Sequence, residues 1–309
     1  MAKQHIDHVV TAEQAGRVDH LVAHLTTLTR EQVRRLIQHG SIHVNGVACP
    51  RDFERVNAGD RVELTFDPHN IPRARKGPWR DAAFEVVYED DDLLVVDKVA
   101  GYLTVPTGPA AHDANTLERR IDEYVRRGGR NRGPRGVVVV HRLDQDTSGL
   151  LVFAKADRVA QRLKLQFAQR KPLRRYDTLV RGLVADDKGT FRSHLATADN
   201  LDRYSVPPGH GGELAVTHYT VVDRFDDFTW VQCELETGRR NQIRVHFAEA
   251  GHPVLGDPRY RPTEAAHPKW RVKRLALHAS TLGFTHPTTG EPMRFESPLP
   301  APMRRMVGV

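Results

Sequence analysis

At 309 residues the chain exceeds one typical domain and predicts about two. It is 39% hydrophobic and 28% charged, with no run of about 18 apolar residues, so it reads as soluble and globular and excludes a transmembrane helix. The start, MAKQHIDHVV, lacks the apolar core of a secretion signal, which predicts a cytoplasmic protein, and two distant cysteines, Cys49 and Cys233, argue against a disulfide framework or a cysteine-rich zinc site.

The net charge of +7 and the sequence pI of about 9.6 predict a polyanionic partner. Residues 1–66 are balanced, with eight Lys/Arg against eight Asp/Glu. The excess comes later: seven arginines in 119–135, eight bases against one acid in 155–175, and six against one in 259–274. Any one cluster is as readily a solvated face. Three of them point to a nucleic-acid backbone.

In chain order, Val18, Leu21, Val22 and Leu25 follow the spacing of an amphipathic helix. Thr29, with Gln32 three residues on, opens a second helix through a capping box. That helix buries Val33, Leu36 and Ile37, points Arg34, Arg35 and Gln38 outward, and ends at Gly40, which tolerates a left-handed cap. Ser41 to Val44 alternates like a strand, Asn45-Gly46 signals a hairpin, and Arg61 to Phe66 alternates again. The segments GRVDHLVAHL, LTREQVRRLIQHGSIHVNG and AGDRVEL resemble the RNA-binding domain named after ribosomal protein S-four. The resemblance implies a small α+β RNA-binding domain over 1–66, with Arg30, Arg34 and Arg35 on the helix face that meets RNA. An ordinary solvated helix face is the competing reading.

Residues 67–81 form a basic, proline-containing linker without periodicity. From 82 to 309 the pattern is strand-rich. Phe84 to Tyr88, Leu93 to Val96, Val137 to Val140, Leu150 to Phe153, Ala215 to Val222 and Phe228 to Leu235 read as strands, with helices over Leu117 to Arg127 and Val159 to Gln169. The fold class is α+β, with a mixed, mainly antiparallel sheet in the larger domain.

The sharpest pattern is His141-Arg-Leu-Asp-Gln-Asp-Thr-Ser-Gly-Leu-Leu-Val-Phe-Ala-Lys155: buried strand, polar loop, buried strand, with Asp144 in the loop. Alone, Asp144 reads as a turn former or a structural ion pair. The whole string, however, resembles the HRLDxxTSGLLxFAK signature of RluA-type RNA pseudouridine synthases. Asp92-Leu-Leu-Val-Val-Asp-Lys-Val-Ala-Gly101 agrees, with Val99 where proline is usual. Arg174-Arg-Tyr-Asp-Thr-Leu-Val-Arg-Gly182 resembles the segment that holds the active-site tyrosine, here Tyr176. Thr237-Gly-Arg-Arg-Asn-Gln-Ile-Arg-Val-His246 and Gly251-His-Pro-Val-Leu-Gly-Asp257 resemble TGRTHQIRVH and GHPIxGD, with Arg240-Asn241 in place of Thr-His. Leu275 to Ala279 and His286 to Glu291 complete a resemblance spanning about 84–300.

The resemblance implies Asp144 as nucleophile or base at the sugar, Arg244 as its paired cation on a helix beginning near Asn241, and Tyr176 stacked on uracil and helping to take the carbon 5 proton. Arg142 is the candidate to fill the stack when the uridine flips out, against a plain salt-bridge role. His141 reads as a loop support and Asp146 as a loop-shaping residue. Isomerisation changes no oxidation state, and no GxGxxG or GxxxxGK[ST] is present, so no cofactor is expected; HExxH is absent and no metal is expected. Ser148 lacks a GxSxG elbow. The expected partner is RNA, ribosomal RNA first by family habit and transfer RNA second, with no membrane and a monomeric enzyme. Two rivals stand: a non-catalytic RNA-binding ribosome-assembly protein, which predicts loss of the aspartate, tyrosine or arginine, and a nucleoside hydrolase, which predicts release of free base.

Overall fold

The computed structural model describes residues 4–38, 40–49, 54–68, 71, 81–106, 115–128 and 136–309. The chain divides into two compact units, Met1–Trp79 and Arg80–Val309. Residues 72–80 of the expected linker, and Arg130, Arg132 and Arg135 of the first basic cluster, lie outside the described residues.

The first unit runs β1 (Gln4–Val9), β2 (Gly16–Arg17), α1 (Val18–Leu25), α2 (Arg30–Gln38), β3 (Ile42–Val44), β4 (Val47–Ala48), β5 (Arg55–Val56) and β6 (Arg61–Phe66). Both halves of the capping box form: Thr29 N donates to Gln32 Oε1 at 2.8 Å, and Gln32 N donates to Thr29 Oγ1 at 3.3 Å. Val33, Leu36 and Ile37 of α2 enter one core with Val18, Leu21 and Val22 of α1 and Val62, Leu64 and Phe66 of β6. Asn45 and Gly46 turn the β3–β4 hairpin with φ of 53° and 79°, the positive pair that matches strand twist. β1 was not legible from its polar sequence QHIDHV; its order comes from antiparallel pairing with β6, Gln4 opposite Phe66.

The second unit contains β7 (Phe84–Glu89), β8 (Leu93–Lys98), α3 (Leu117–Gly128), β9 (Val138–Val139), β10 (Ser148–Ala154), α4 (Asp157–Ala168) and β11 (Leu173–Arg181). Then follow β12 (Lys188–Thr197), β13 (Arg203–Val206), β14 (Glu213–Arg224), β15 (Phe228–Leu235), α5 (Gln242–Glu249), α6 (Pro262–Ala265), β16 (Leu277–Thr285), β17 (Pro292–Glu296) and α7 (Ala301–Val307). An 11-stranded sheet runs β13-β12-β14-β15-β11-β16-β10-β8-β7, with β17 on β16 and β9 on β10. Its named pairings are antiparallel except β10 with β16, so the sheet is mixed and mainly antiparallel. The expected strand Val137 to Val140 shrinks to the two residues of β9.

α4 buries Val159, Ala160 and Leu163 against Leu93, Val95, Leu150 and Val152 of the sheet. Beside this core the parallel pair approaches very closely. A Cβ on Gly149 would lie 2.3 Å from the Ala279 carbonyl oxygen, and its φ is +116°, so only glycine fits the turn from the polar loop into β10. Among the described residues no helix is long and apolar enough to cross a membrane.

Candidate active site

The loop between β9 and β10 carries Asp144, and three side chains fix its backbone. Lys98, fully buried at the end of β8, donates from Nζ to the carbonyl oxygens of Val99 (3.2 Å), Asp144 (3.3 Å), Gln145 (2.8 Å) and Thr147 (2.7 Å). Burial pulls its pKa down to about 7, against the charges of Asp146 and Asp144, which raise it. Thr104 Oγ1 donates to the Leu143 carbonyl at 2.8 Å and accepts from Leu143 N at 3.2 Å. His141 Nε2 accepts from Val152 N at 3.2 Å while its ring stacks on Phe167 at 4.6 Å. Burial, with Arg174 adding to it, lowers the His141 pKa to about 3, so the imidazole is a neutral acceptor and supports the loop.

Arg244 projects from α5, whose N-cap Asn241 is left-handed at φ 57°, a conformation asparagine tolerates better than most residues. Arg244 Nε and Nη2 donate to the two carboxylate oxygens of Asp257, both at 2.7 Å, and Nη1 donates to Asn241 Oδ1 at 3.0 Å. The same Nη1 stands 3.5 Å from Asp144 Oδ2. The arginine expected to pair with Asp144 therefore does reach it, but its tightest partner is Asp257, buried in the loop after α5. Burial alone would lower the arginine's pKa; the Asp257 bonds and the Asp144 charge raise it, so Arg244 stays cationic. Asn241 Nδ2 also donates to the Tyr260 hydroxyl at 3.0 Å, and the Tyr260 ring lies 5.1 Å from the Arg244 guanidinium. The departure at Arg240-Asn241 thus leaves the arginine anchored.

Tyr176 lies on β11 at an irregularity in the pairing with β16 between Arg175 and Asp177. It is buried, and burial pushes its phenol up to about 12; Arg174 opposes the rise and the Asp144 charge reinforces it. Asp144, Arg244, Tyr176 and Arg142 line one pocket of about 350 Å³ together with the apolar Phe167 and Leu277. That is within the usual size range for a small-molecule site. Arg142 is exposed and has no ion pair or hydrogen bond among the described residues. Ser148 bonds His278 Nδ1 at 2.8 Å, but neither residue lines the pocket, and Arg274 Nη2 also donates to the serine oxygen at 2.8 Å.

In the first unit, Arg30 and Arg34 of α2 turn toward Asp19 of α1, which is fully buried. Arg17 meets the same carboxylate through Nε at 3.0 Å and Nη2 at 3.1 Å, Arg30 Nη2 lies at 3.3 Å, and Arg34 Nε at 4.0 Å. Arg30 and Arg34 remain half-exposed, and Arg35 is partly buried. Three cations around one carboxylate keep this face positive.

Lys98 and Asp257 were not singled out from the sequence. The signal was present: a lysine closing the apolar run LLVVDK, and an aspartate closing GHPVLGD.

A sequence profile described as RNA pseudouridylate synthase matches residues 92–249. The chain is 36% identical to an uncharacterized RNA pseudouridine synthase of Bacillus subtilis, covering 98% of this chain and 97% of the relative. It is 35% identical to ribosomal large subunit pseudouridine synthase D of Zymomonas mobilis, over 96% of this chain and 94% of that one. Among solved structures, human RNA pseudouridylate synthase domain containing 1 matches with a TM-score of 0.54 and 25% identity, over 72% of this chain and 86% of that chain. Human RNA pseudouridylate synthase domain containing 4 shares the fold at 20% identity, with a TM-score of 0.58 over 72% of this chain and 91% of that chain.

Proposed function

This chain belongs to the RNA pseudouridine synthase family, and from that premise we propose that Asp144, Arg244 and Tyr176 carry its reaction and that its substrate is large-subunit ribosomal RNA. The observation that carries the site assignment is the Asp144–Arg244 pair, 3.5 Å apart in a pocket that Tyr176 also lines.

The enzyme isomerises uridine to pseudouridine: the bond from uracil nitrogen to the ribose breaks, the base turns, and carbon 5 bonds to the same sugar carbon. The carbon 5 proton leaves and the nitrogen gains one, so the RNA keeps its mass. Asp144, 3.5 Å from the Arg244 guanidinium, attacks the sugar carbon or removes a neighbouring proton. Tyr176 offers the detached base a flat apolar wall. Its phenol is protonated at neutral pH, so its hydroxyl passes the carbon 5 proton on while remaining neutral. The uridine must leave its stack to reach Asp144, and Arg142, exposed and unpaired among the described residues, is suited to occupy the gap.

Ribosomal RNA is favoured because relatives covering nearly the whole chain are named for the ribosomal large subunit. The first unit, with Arg30, Arg34 and Arg35 on α2, is the proposed auxiliary RNA anchor. Action as a monomer in the cytoplasm belongs to the same proposal. Mapping pseudouridines in cellular RNA with and without the gene tests the substrate: a position lost from large-subunit ribosomal RNA supports it, and loss confined to transfer RNA replaces it.

A further inference from the structure

Arg174 lies on β11 two residues before Tyr176, lines the same pocket, and is only 7% exposed. Nη2 donates to the carbonyl oxygens of Leu235 and Glu236, both at 3.1 Å, and the guanidinium packs over the Phe167 ring at 5.5 Å. Its Nε is buried without a hydrogen-bond partner. No carboxylate pairs with Arg174 among the described residues, and burial lowers its pKa. The other arginines buried or half-exposed around the pocket are neutralised: Arg170 by Glu236 at 3.3 Å, Arg239 by Glu213 at 2.7 Å, and Arg244 by Asp257 at 2.7 Å. Room for Arg174 is built in. A Cβ at Gly238 would stand 2.5 Å from its Nη1, so a side chain there would push the end of Arg174 aside.

A buried guanidinium with an idle donor and no counter-charge is costly, and such groups are normally paired. The pocket opens to solvent where a polyanion would enter, and a guanidinium suits phosphate oxygens in both charge and geometry. A strand advances about 3.3 Å per residue, so a group two residues from Tyr176 stands about 7 Å along from it on the same face. We propose that Arg174 is the anion-recognition residue of the pocket, its guanidinium donating to an RNA phosphate at or next to the nucleotide whose base lies against Tyr176. The choice of RNA as the anion rests on the pseudouridine synthase reading.

The test compares wild type with the neutral variants R174M and R174Q and with R174K, using a large-subunit ribosomal RNA transcript. Equilibrium binding over a salt series, kcat and KM for pseudouridine formation, and the thermal midpoint are all measured. The neutral variants fold, since they lose an uncompensated buried charge. Their log affinity against log salt flattens by about 0.7–0.9, one phosphate contact. Their KM rises about tenfold or more while kcat at saturating RNA changes little, as for a lost charged hydrogen bond in binding. R174K keeps the wild-type slope. A wild-type slope and KM in the neutral variants overturns the proposal, as does a loss confined to kcat or the failure of both neutral variants to fold. If wild type binds RNA but makes no pseudouridine, the functional reading fails instead, and the salt slopes still decide the case for Arg174.

Discussion

Asp144 and Arg244 stand 3.5 Å apart, yet the pair depends on residues that touch neither base nor sugar. Asp257 holds two of the arginine's donors at 2.7 Å, leaving Nη1 to face Asp144. Asp257→Asn keeps the shape but supplies one acceptor and one amide where two acceptors stood. It should lower kcat on the order of 10²-fold with little change in KM, because a small misplacement of a catalytic group is enough; unchanged kcat would show that Arg244 needs no such clamp. Tyr176→Phe should retain much of the stacking and slow the final proton step, whereas Tyr176→Ala should damage both. With the phenol held near 12, the pH profile of kcat should show no tyrosine ionisation in the neutral range, and a Tyr176-dependent inflection there would contradict the proton-passing role. At this scale the sequence was informative wherever a motif named the residue. It was silent on partnership: nothing in GHPVLGD says its aspartate grips an arginine 13 residues earlier, because that contact exists only once α5 and its following loop have packed.

At the level of elements, β10 is the support on which the polar loop is built. It is buried along its length, antiparallel to β8 and parallel to β16. β8 beside it and β15 farther along the sheet were legible because their apolar residues declare burial. β11 was not, since a buried Arg174 interrupts the pattern, and β12 was not, since its sequence KGTFRSHLAT is largely polar and mostly half-exposed. The pairing of β10 with β16 joins segments over 120 residues apart, and no local periodicity encodes it. Around these elements lie two buried histidines, His246 on α5 and His278 on β16, each lowered by burial to about 4. The unfolded chain binds their protons as pH falls below about 6.5, while the folded protein resists until about 4. The stability supplied by the neutral rings is therefore fully present above 6.5 and is lost as pH drops toward 4, about 3 kcal/mol per ring at the limit. Urea unfolding between neutral pH and pH 4.5 should show this acid limb, shallower in His278→Gln and His246→Gln; equal slopes in wild type and variants would rule the histidines out as its cause.

For the molecule as a whole, the separate core of the first unit makes it removable. Deleting Met1–Trp79 should leave a folded domain that still isomerises uridine, because the proposed catalytic residues all lie in Arg80–Val309. If two or three of Arg30, Arg34 and Arg35 touch phosphate, both the deletion and the triple Arg→Ala chain should flatten the salt slope by on the order of two units. An unchanged slope in both would make the unit a structural or protein-contact module. The helices and hairpin of the first unit were legible because helix spacing, a capping box and the Asn45-Gly46 turn agree locally in the first 66 residues, while the overall positive charge foretold a polyanion without naming it. The central claim is that Asp144 drives an isomerisation at uridine. Its most direct measurement is nucleoside analysis of large-subunit ribosomal RNA incubated with wild type or Asp144→Asn, read for pseudouridine and free uracil together. The account predicts pseudouridine with no uracil released by wild type and none formed by the variant; release of uracil, or variant activity within about tenfold of wild type, would contradict it.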